Sequence, residues 1–187
     1  ALEGFKSSGR LVGTFSKYLH QNQLGEAIQI CAQIVKTEPN NQYAFYYMGL
    51  ANFKLGKPQI AIQQLQKAIE LDSERPEFLC DLGEILEAVG SIKEAESYYR
   101  KTLIIDRVNA KALIKLGSIL IDRNQFKAGI TALGKASELE PDKFERDDIK
   151  LYNLIYDRTI RSHMKPAIYT VNSIKLCNSN TKDVGYF

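Results

Sequence analysis

The chain has 187 residues, of which 44% are hydrophobic and 25% are charged. This composition is too apolar for intrinsic disorder, and the length is sufficient for one buried core or a row of smaller ones. With 25 basic and 22 acidic residues, the net charge is +3, far from the concentrated basic surface that nucleic acids and anionic membranes attract.

Several classes of site and location are not expected from the sequence. No apolar run approaches the roughly 18 residues that span a membrane, and the N-terminus lacks the zones of a signal peptide, so we expect a cytoplasmic protein. Cys31, Cys80 and Cys177 are odd in number and far apart, which argues against a disulfide framework and a structural metal. No cofactor or catalytic motif is present, so we expect neither a cofactor nor an enzyme.

Along the chain, the dominant feature is a repeat of 34 residues. Four copies follow one another, at residues 8–41, 42–75, 76–109 and 110–143. Within each copy, apolar residues recur at helical spacing in two segments, which predicts two amphipathic helices. One such pair cannot bury its apolar stripes alone, so we expect neighbouring copies to stack.

Glycines mark fixed points of the repeat. Gly56 and Gly90 are expected to end the first helix of their copies. Gly49, Gly83 and Gly117 fall inside the first helices, where glycine costs about 1 kcal/mol relative to alanine. We expect close approach of the second helix to compensate. The small residues expected opposite these glycines are Ala61, Ala95 and Gly129.

The repeats resemble the tetratricopeptide repeat, whose pattern is W-x2-L-G-x2-Y…A-x3-F…P. In the third copy the matching residues are Leu79, Leu82, Gly83, Leu86, Ala95 and Tyr99. The first copy departs most, because Thr14-Phe15 replaces the Leu-Gly pair. The resemblance implies an all-α fold, a right-handed α-solenoid of antiparallel helix pairs, in which the first helices line a concave groove.

The first helix of the second copy carries two apolar stripes. Phe45, Met48 and Gly49 follow the packing positions of the repeat. The second stripe consists of Tyr43, Tyr46, Leu50 and Phe53. By the resemblance this stripe faces the groove, where aromatic side chains would anchor a peptide. The alternative is burial, in which Tyr43 or Tyr47 packs against the first copy or against the ends of the superhelix.

Equivalent positions in the third and fourth copies extend the groove, first with acidic and then with mixed residues. They are Glu77, Cys80, Glu84, Glu87, Lys111, Ile114 and Lys115. We expect the lysines to meet an acidic part of a ligand and the glutamates a basic part, with a merely solvated face as the alternative for the glutamates. The neighbouring glutamates are expected to raise the pKa of the Cys80 thiol.

These observations predict a non-enzymatic scaffold that binds a segment of a partner protein, and neither nucleic acid nor membrane. The rival hypothesis is the targeting arm of a larger enzyme, such as a transferase. The carboxylate clamp of chaperone-binding members of the family is not expected, because an uncompensated Asp81 would repel a carboxylate ligand.

The end of the chain follows a different pattern. Residues 144–165 have the periodicity of a capping helix that would cover the fourth copy. Residues 166–187 are rich in β-branched and polar side chains, and three hypotheses stay open for them. They are a tail along the stack, the start of a further domain, or a segment that docks on another copy and causes self-association.

Overall fold

The computed structural model describes residues 23–139. They lie within the first of two compact units, Ala1–Pro141 and Asp142–Phe187. The predicted first helix of the first copy, the capping helix and the tail therefore lie outside the described residues.

The described residues form seven α-helices and no strands. They are α1 (Leu24–Thr37), α2 (Gln42–Lys54), α3 (Pro58–Leu71), α4 (Pro76–Ala88), α5 (Ile92–Ile105), α6 (Ala110–Asp122) and α7 (Phe126–Leu139). Helices α2 and α3, α4 and α5, and α6 and α7 pack as pairs, and each pair contacts the next one along the chain. The expected all-α solenoid of stacked helix pairs is confirmed.

Local sequence signals explain where the first helices begin. The side chains of Asn41 and Asn109 accept hydrogen bonds from the backbone N–H groups of Ala44 and Ala112, at 3.1 and 3.0 Å. Such caps satisfy N–H groups that lack a partner inside the helix. In α4 a proline, Pro76, occupies the first position, where its missing N–H costs nothing.

The first helices end in the same way in three successive copies. Gly56, Gly90 and Asn124 adopt the left-handed conformation, with φ values of 75°, 85° and 60°. They are spaced by the repeat length, and asparagine tolerates this conformation better than most residues. The predicted ends at Gly56 and Gly90 are therefore confirmed.

The mid-helix glycines lie where the paired helix comes closest. A Cβ atom at Gly83 would stand 2.7 Å from the ring of Tyr99, and one at Gly117 would stand 2.8 Å from Leu133. The added atom at Gly117 would also meet the backbone oxygen of Gly129 at 3.2 Å. The close approach predicted from the sequence is confirmed, although the larger side chain four residues after the small one fills most of the space.

The buried residues form two clusters. One joins α1 and α2 and consists of Leu24, Ala27, Cys31, Ala44, Tyr47, Met48 and Ala51. The other runs from α3 to α6 and includes Leu65, Leu82, Ile85 and Tyr99. Tyr46 packs against both clusters. The core thus continues from one helix pair to the next, as stacking requires.

Candidate functional site

We use the name first-helix face for the predicted groove residues of α2, α4 and α6, without the buried Cys80 and together with Asp81. Its members are Tyr43, Tyr46, Leu50, Phe53, Glu77, Asp81, Glu84, Glu87, Lys111, Ile114 and Lys115. All of them are exposed or partly buried. Side chains from successive first helices touch one another across this face, so its geometry depends on how the helix pairs stack.

An aromatic cluster joins α2 to α4. The Tyr46 ring stacks on Phe78, with ring centroids 4.5 Å apart and an interplanar angle of 25°. Tyr43 meets the same ring edge-on at 5.7 Å. Phe78 is buried, and the rings of both tyrosines pack against it.

A cation already lies over one of these rings. The guanidinium group of Arg75 is 5.6 Å from the centroid of Tyr43, within the range of a cation–π contact. Its Nε atom donates a hydrogen bond to Asp72 at 2.8 Å. The Tyr43 ring therefore offers a surface on which a positively charged group is stable.

A polar network links the three first helices through Asp81. The Tyr46 hydroxyl donates a hydrogen bond to one carboxylate oxygen at 2.5 Å, and Lys111 donates to the other at 2.7 Å. Lys111 also lies 2.8 Å from a carboxylate oxygen of Glu84. Asp81 thus connects α2, α4 and α6 with one side chain.

A second polar cluster lies beside the first. The Tyr99 hydroxyl donates to Glu87 at 2.7 Å, and Lys115 lies 3.4 Å from the same carboxylate. Burial and the hydrogen bond to Glu87 raise the pKa of Tyr99. The hydroxyl therefore stays protonated and serves as a donor.

The network also shifts the pKa values of its own members. Burial and the charge of Asp81 raise the pKa of Tyr46. For Lys111, burial acts to lower the pKa, but the hydrogen bonds to Asp81 and Glu84 outweigh this and leave the pKa above its ordinary value. The ammonium group of Lys111 is therefore held in its charged form by its carboxylate partners.

One predicted groove residue does not lie on the face. Cys80 is only 2% exposed and belongs to the core cluster between α3 and α6. Burial raises the pKa of its thiol to about 12, while the charge of Lys111 lowers the pKa and those of Asp81 and Glu84 raise it, each by less than burial does. The predicted direction of the shift is confirmed, but its main cause is burial.

All the predicted charged residues except Glu77 form salt bridges across the first-helix face. Lys111 and Lys115 both contact carboxylates of α4. The expectation that Asp81 is uncompensated was wrong, because Tyr46 and Lys111 both donate to it. Glu77 is exposed and forms no salt bridge with another residue of the range 23–139.

Sequence reasoning missed Phe78 and the contacts of Asp81, both of which shape this surface. Phe78 occupies a position where the neighbouring copies have Ala44 and Ala112, so a large side chain among small ones was the available signal. Asp81 carried no comparable signal, because its partners lie 35 and 30 residues away in the chain.

The described helices contain neither a candidate metal site nor a candidate membrane-spanning helix. Within residues 23–139, no group of three or more His, Cys, Asp or Glu side chains is arranged to hold a metal ion. In the same range, we find no helix with the length and apolar character needed to traverse a lipid bilayer.

Comparison with known families identifies the class of protein. Residues 20–102 match the family model of anaphase-promoting complex, cyclosome, subunit 3. Residues 110–143 match the tetratricopeptide-repeat model. Together with the helix pairs and the packing glycines described above, these matches show that the chain belongs to the tetratricopeptide-repeat proteins.

Curated relatives are distant and much longer. The chain is similar to the BBSome complex member bbs-4 of Caenorhabditis elegans, with 23% identity over 65% of the chain and 36% of the relative. It is also similar to a TPR repeat-containing protein of Methanocaldococcus jannaschii, with 31% identity over 54% of the chain and 18% of the relative. The chain therefore spans well under half the length of either relative.

Solved structures agree in fold. A crystal structure of MamA has 25% identity and a TM-score of 0.64, and the similarity covers 73% of this chain and 80% of MamA. YrrB, described as a TPR protein with an unusual peptide-binding site, has 22% identity and a TM-score of 0.60, covering 81% of this chain and 75% of YrrB. Both support the stacked helix pairs.

Proposed function

We propose that this protein is a non-enzymatic interaction scaffold that holds a segment of a partner protein on the first-helix face. One observation carries the proposal. Residues 43–51 of helix α2 carry no charged or amide side chain, and after the core-facing residues are buried, Tyr43, Leu50 and Phe53 remain partly exposed. Aromatic and aliphatic side chains in this situation are typical anchors for a bound polypeptide.

The face is organised before any ligand arrives. Tyr46 is held by its contacts with Phe78 and Asp81. Its ring is therefore engaged within the chain and is less accessible to a ligand. Tyr43, Leu50 and Phe53 also pack against the buried clusters, but each keeps an exposed part that is available to a ligand. A surface whose side chains are already ordered loses less conformational entropy on binding.

The family supports the same conclusion at a general level. YrrB, which shares the fold, is described as having a peptide-binding site. Neighbouring first helices present successive rows of side chains, which suits an extended or helical segment better than a small molecule. The partner of this chain is therefore proposed to be a polypeptide.

The proposal is tested with a library of displayed random peptides of about 12 residues, which span roughly 40 Å when extended. Enriched peptides are measured by fluorescence anisotropy against the wild-type chain and a Tyr43→Ala, Phe53→Ala variant. Removing these anchors is expected to weaken binding by about 1–3 kcal/mol.

A matched control removes exposed apolar side chains elsewhere. Ile104 and Val108 are 76% and 62% exposed, and they lie at the end of α5 and in the turn that follows. An Ile104→Ala, Val108→Ala variant is expected to bind like the wild type, with circular dichroism confirming that all three proteins fold. Equal affinity of the Tyr43→Ala, Phe53→Ala variant would refute the proposal.

A further inference from the structure

We infer that the segment bound on the first-helix face is cationic, with lysine or arginine side chains set among apolar ones. This inference rests on the proposed function and specifies the chemistry of the partner. It depends on which charged side chains of the face already form salt bridges with other residues of the chain.

The first-helix face is acidic although the chain is basic. It carries four carboxylates, Glu77, Asp81, Glu84 and Glu87, and two ammonium groups, Lys111 and Lys115, which leaves a charge of −2. The whole chain has a net charge of +3. The sign of the face is thus opposite to that of the molecule, and it attracts positively charged partners.

The two lysines are occupied by carboxylates of α4. Lys111 lies 2.7 Å from Asp81 and 2.8 Å from Glu84. Lys115 lies 3.4 Å from Glu87. An acidic ligand would have to displace these carboxylates and would then lie beside them, which costs free energy through like-charge repulsion.

The negative charge that remains is accessible. Asp81 and Glu84 share one lysine, and the Glu84 side chain is 33% exposed. Glu77 is exposed and lies close enough to contribute to the raised pKa of Tyr46. A cationic side chain of a ligand can therefore approach Glu77 and Glu84 without breaking an existing pair.

The aromatic part of the face suits the same ligand. Arg75 lies 5.6 Å from the centroid of the Tyr43 ring and is paired with Asp72, so one side of this ring already packs against a guanidinium group of the chain itself. Arginine and lysine also have long apolar stems that pack against rings while the charged ends reach carboxylates. Cationic residues thus complement both the rings of α2 and the acids of α4.

The test uses the displayed random peptides. Peptides enriched on the wild-type chain are expected to contain more Lys and Arg, and fewer Asp and Glu, than the unselected library. Their affinity for a Glu77→Gln, Glu84→Gln variant is expected to fall about fivefold. It should also fall as salt is added, since exposed charge pairs are screened.

The matched control removes the same amount of charge elsewhere. Glu70 and Glu94 are exposed acids on the second helices α3 and α5. A Glu70→Gln, Glu94→Gln variant is expected to bind the enriched peptides within about twofold of the wild type. Equal loss in both variants would show that the peptides respond to acidic side chains anywhere on the surface and would overturn the inference.

The remaining outcomes separate this inference from the proposed function. Enrichment of neutral or acidic peptides that need Tyr43 and Phe53 would overturn the cationic partner and leave the scaffold function standing. Peptides that bind the Tyr43→Ala, Phe53→Ala variant as tightly as the wild type would overturn both.

Discussion

Single residues on the first-helix face perform distinct tasks. Asp81 accepts hydrogen bonds from side chains of two other helices, and so it fixes the relative positions of Tyr46 and Lys111. A hydrogen bond to a charged acceptor contributes more to stability than one between neutral groups. The face is therefore stabilised by a few polar contacts as well as by ring stacking.

The Tyr46→Phe substitution tests this network. It removes the hydroxyl that donates to Asp81 and keeps the ring that stacks on Phe78. We expect the free energy of unfolding, measured with urea, to fall by about 1–2 kcal/mol. The control is Tyr98→Phe on α5, where the ring contacts Lys101, and its effect should stay within about 0.5 kcal/mol. Equal effects of the two substitutions would contradict the role of Asp81.

At the scale of secondary-structure elements, the packing of each helix pair depends on the close approach of its two helices. The repeat places a glycine in the first helix where the second helix brings a large side chain, as with Gly83 and Tyr99. The helix loses some intrinsic stability at this position and recovers it through close packing.

Two glycine substitutions should have opposite effects. Gly83→Ala places a methyl group 2.7 Å from the Tyr99 ring, and we expect a loss of about 1–3 kcal/mol of stability through overpacking. Gly134 lies inside α7, and a Cβ atom added there would meet no neighbouring atom within 4 Å. Gly134→Ala should therefore stabilise the protein by about 0.5–1 kcal/mol. The measurement is urea unfolding, and two changes of the same sign would argue against this packing.

At the scale of the whole molecule, two buried thiols and the salt-bridged Lys111 share one direction of pKa shift. Burial raises the pKa of Cys31 from 9.0 to about 11 and that of Cys80 from 9.0 to about 12. The pKa of Lys111 also lies above its value of 10.5 in the unfolded chain. In each case the folded protein holds its proton more tightly than the unfolded chain does.

This shared direction predicts a loss of stability in alkali. Since the folded pKa values are higher, the stabilisation is complete below the unfolded values and declines as pH rises through the folded ones. We expect the free energy of unfolding to be lower at pH 10.5 than at pH 7, where these groups are protonated in both states. Urea unfolding at the two pH values measures the difference. An unchanged free energy would contradict the shifts.

Much of the architecture could be predicted because its signals are local. The spacing of Gly49, Gly83 and Gly117 indicated the helix pairs and their close approach, and helical periodicity indicated the buried stripes. The contacts of Asp81 could not be predicted, because they join side chains from three copies. Such contacts depend on the angle and distance between stacked pairs, which no short stretch of sequence encodes.

The amino-acid sequence by itself determined the repeat length, the order of helices and the family, since each depends on residue types at short, fixed intervals. Only the tertiary structure decided which candidate residues remain accessible. It buries Cys80 within the core and pairs Lys111 and Lys115 with acids of α4. The physical reason is that exposure and charge pairing arise between helices, where stacking brings distant side chains within a few ångströms of one another.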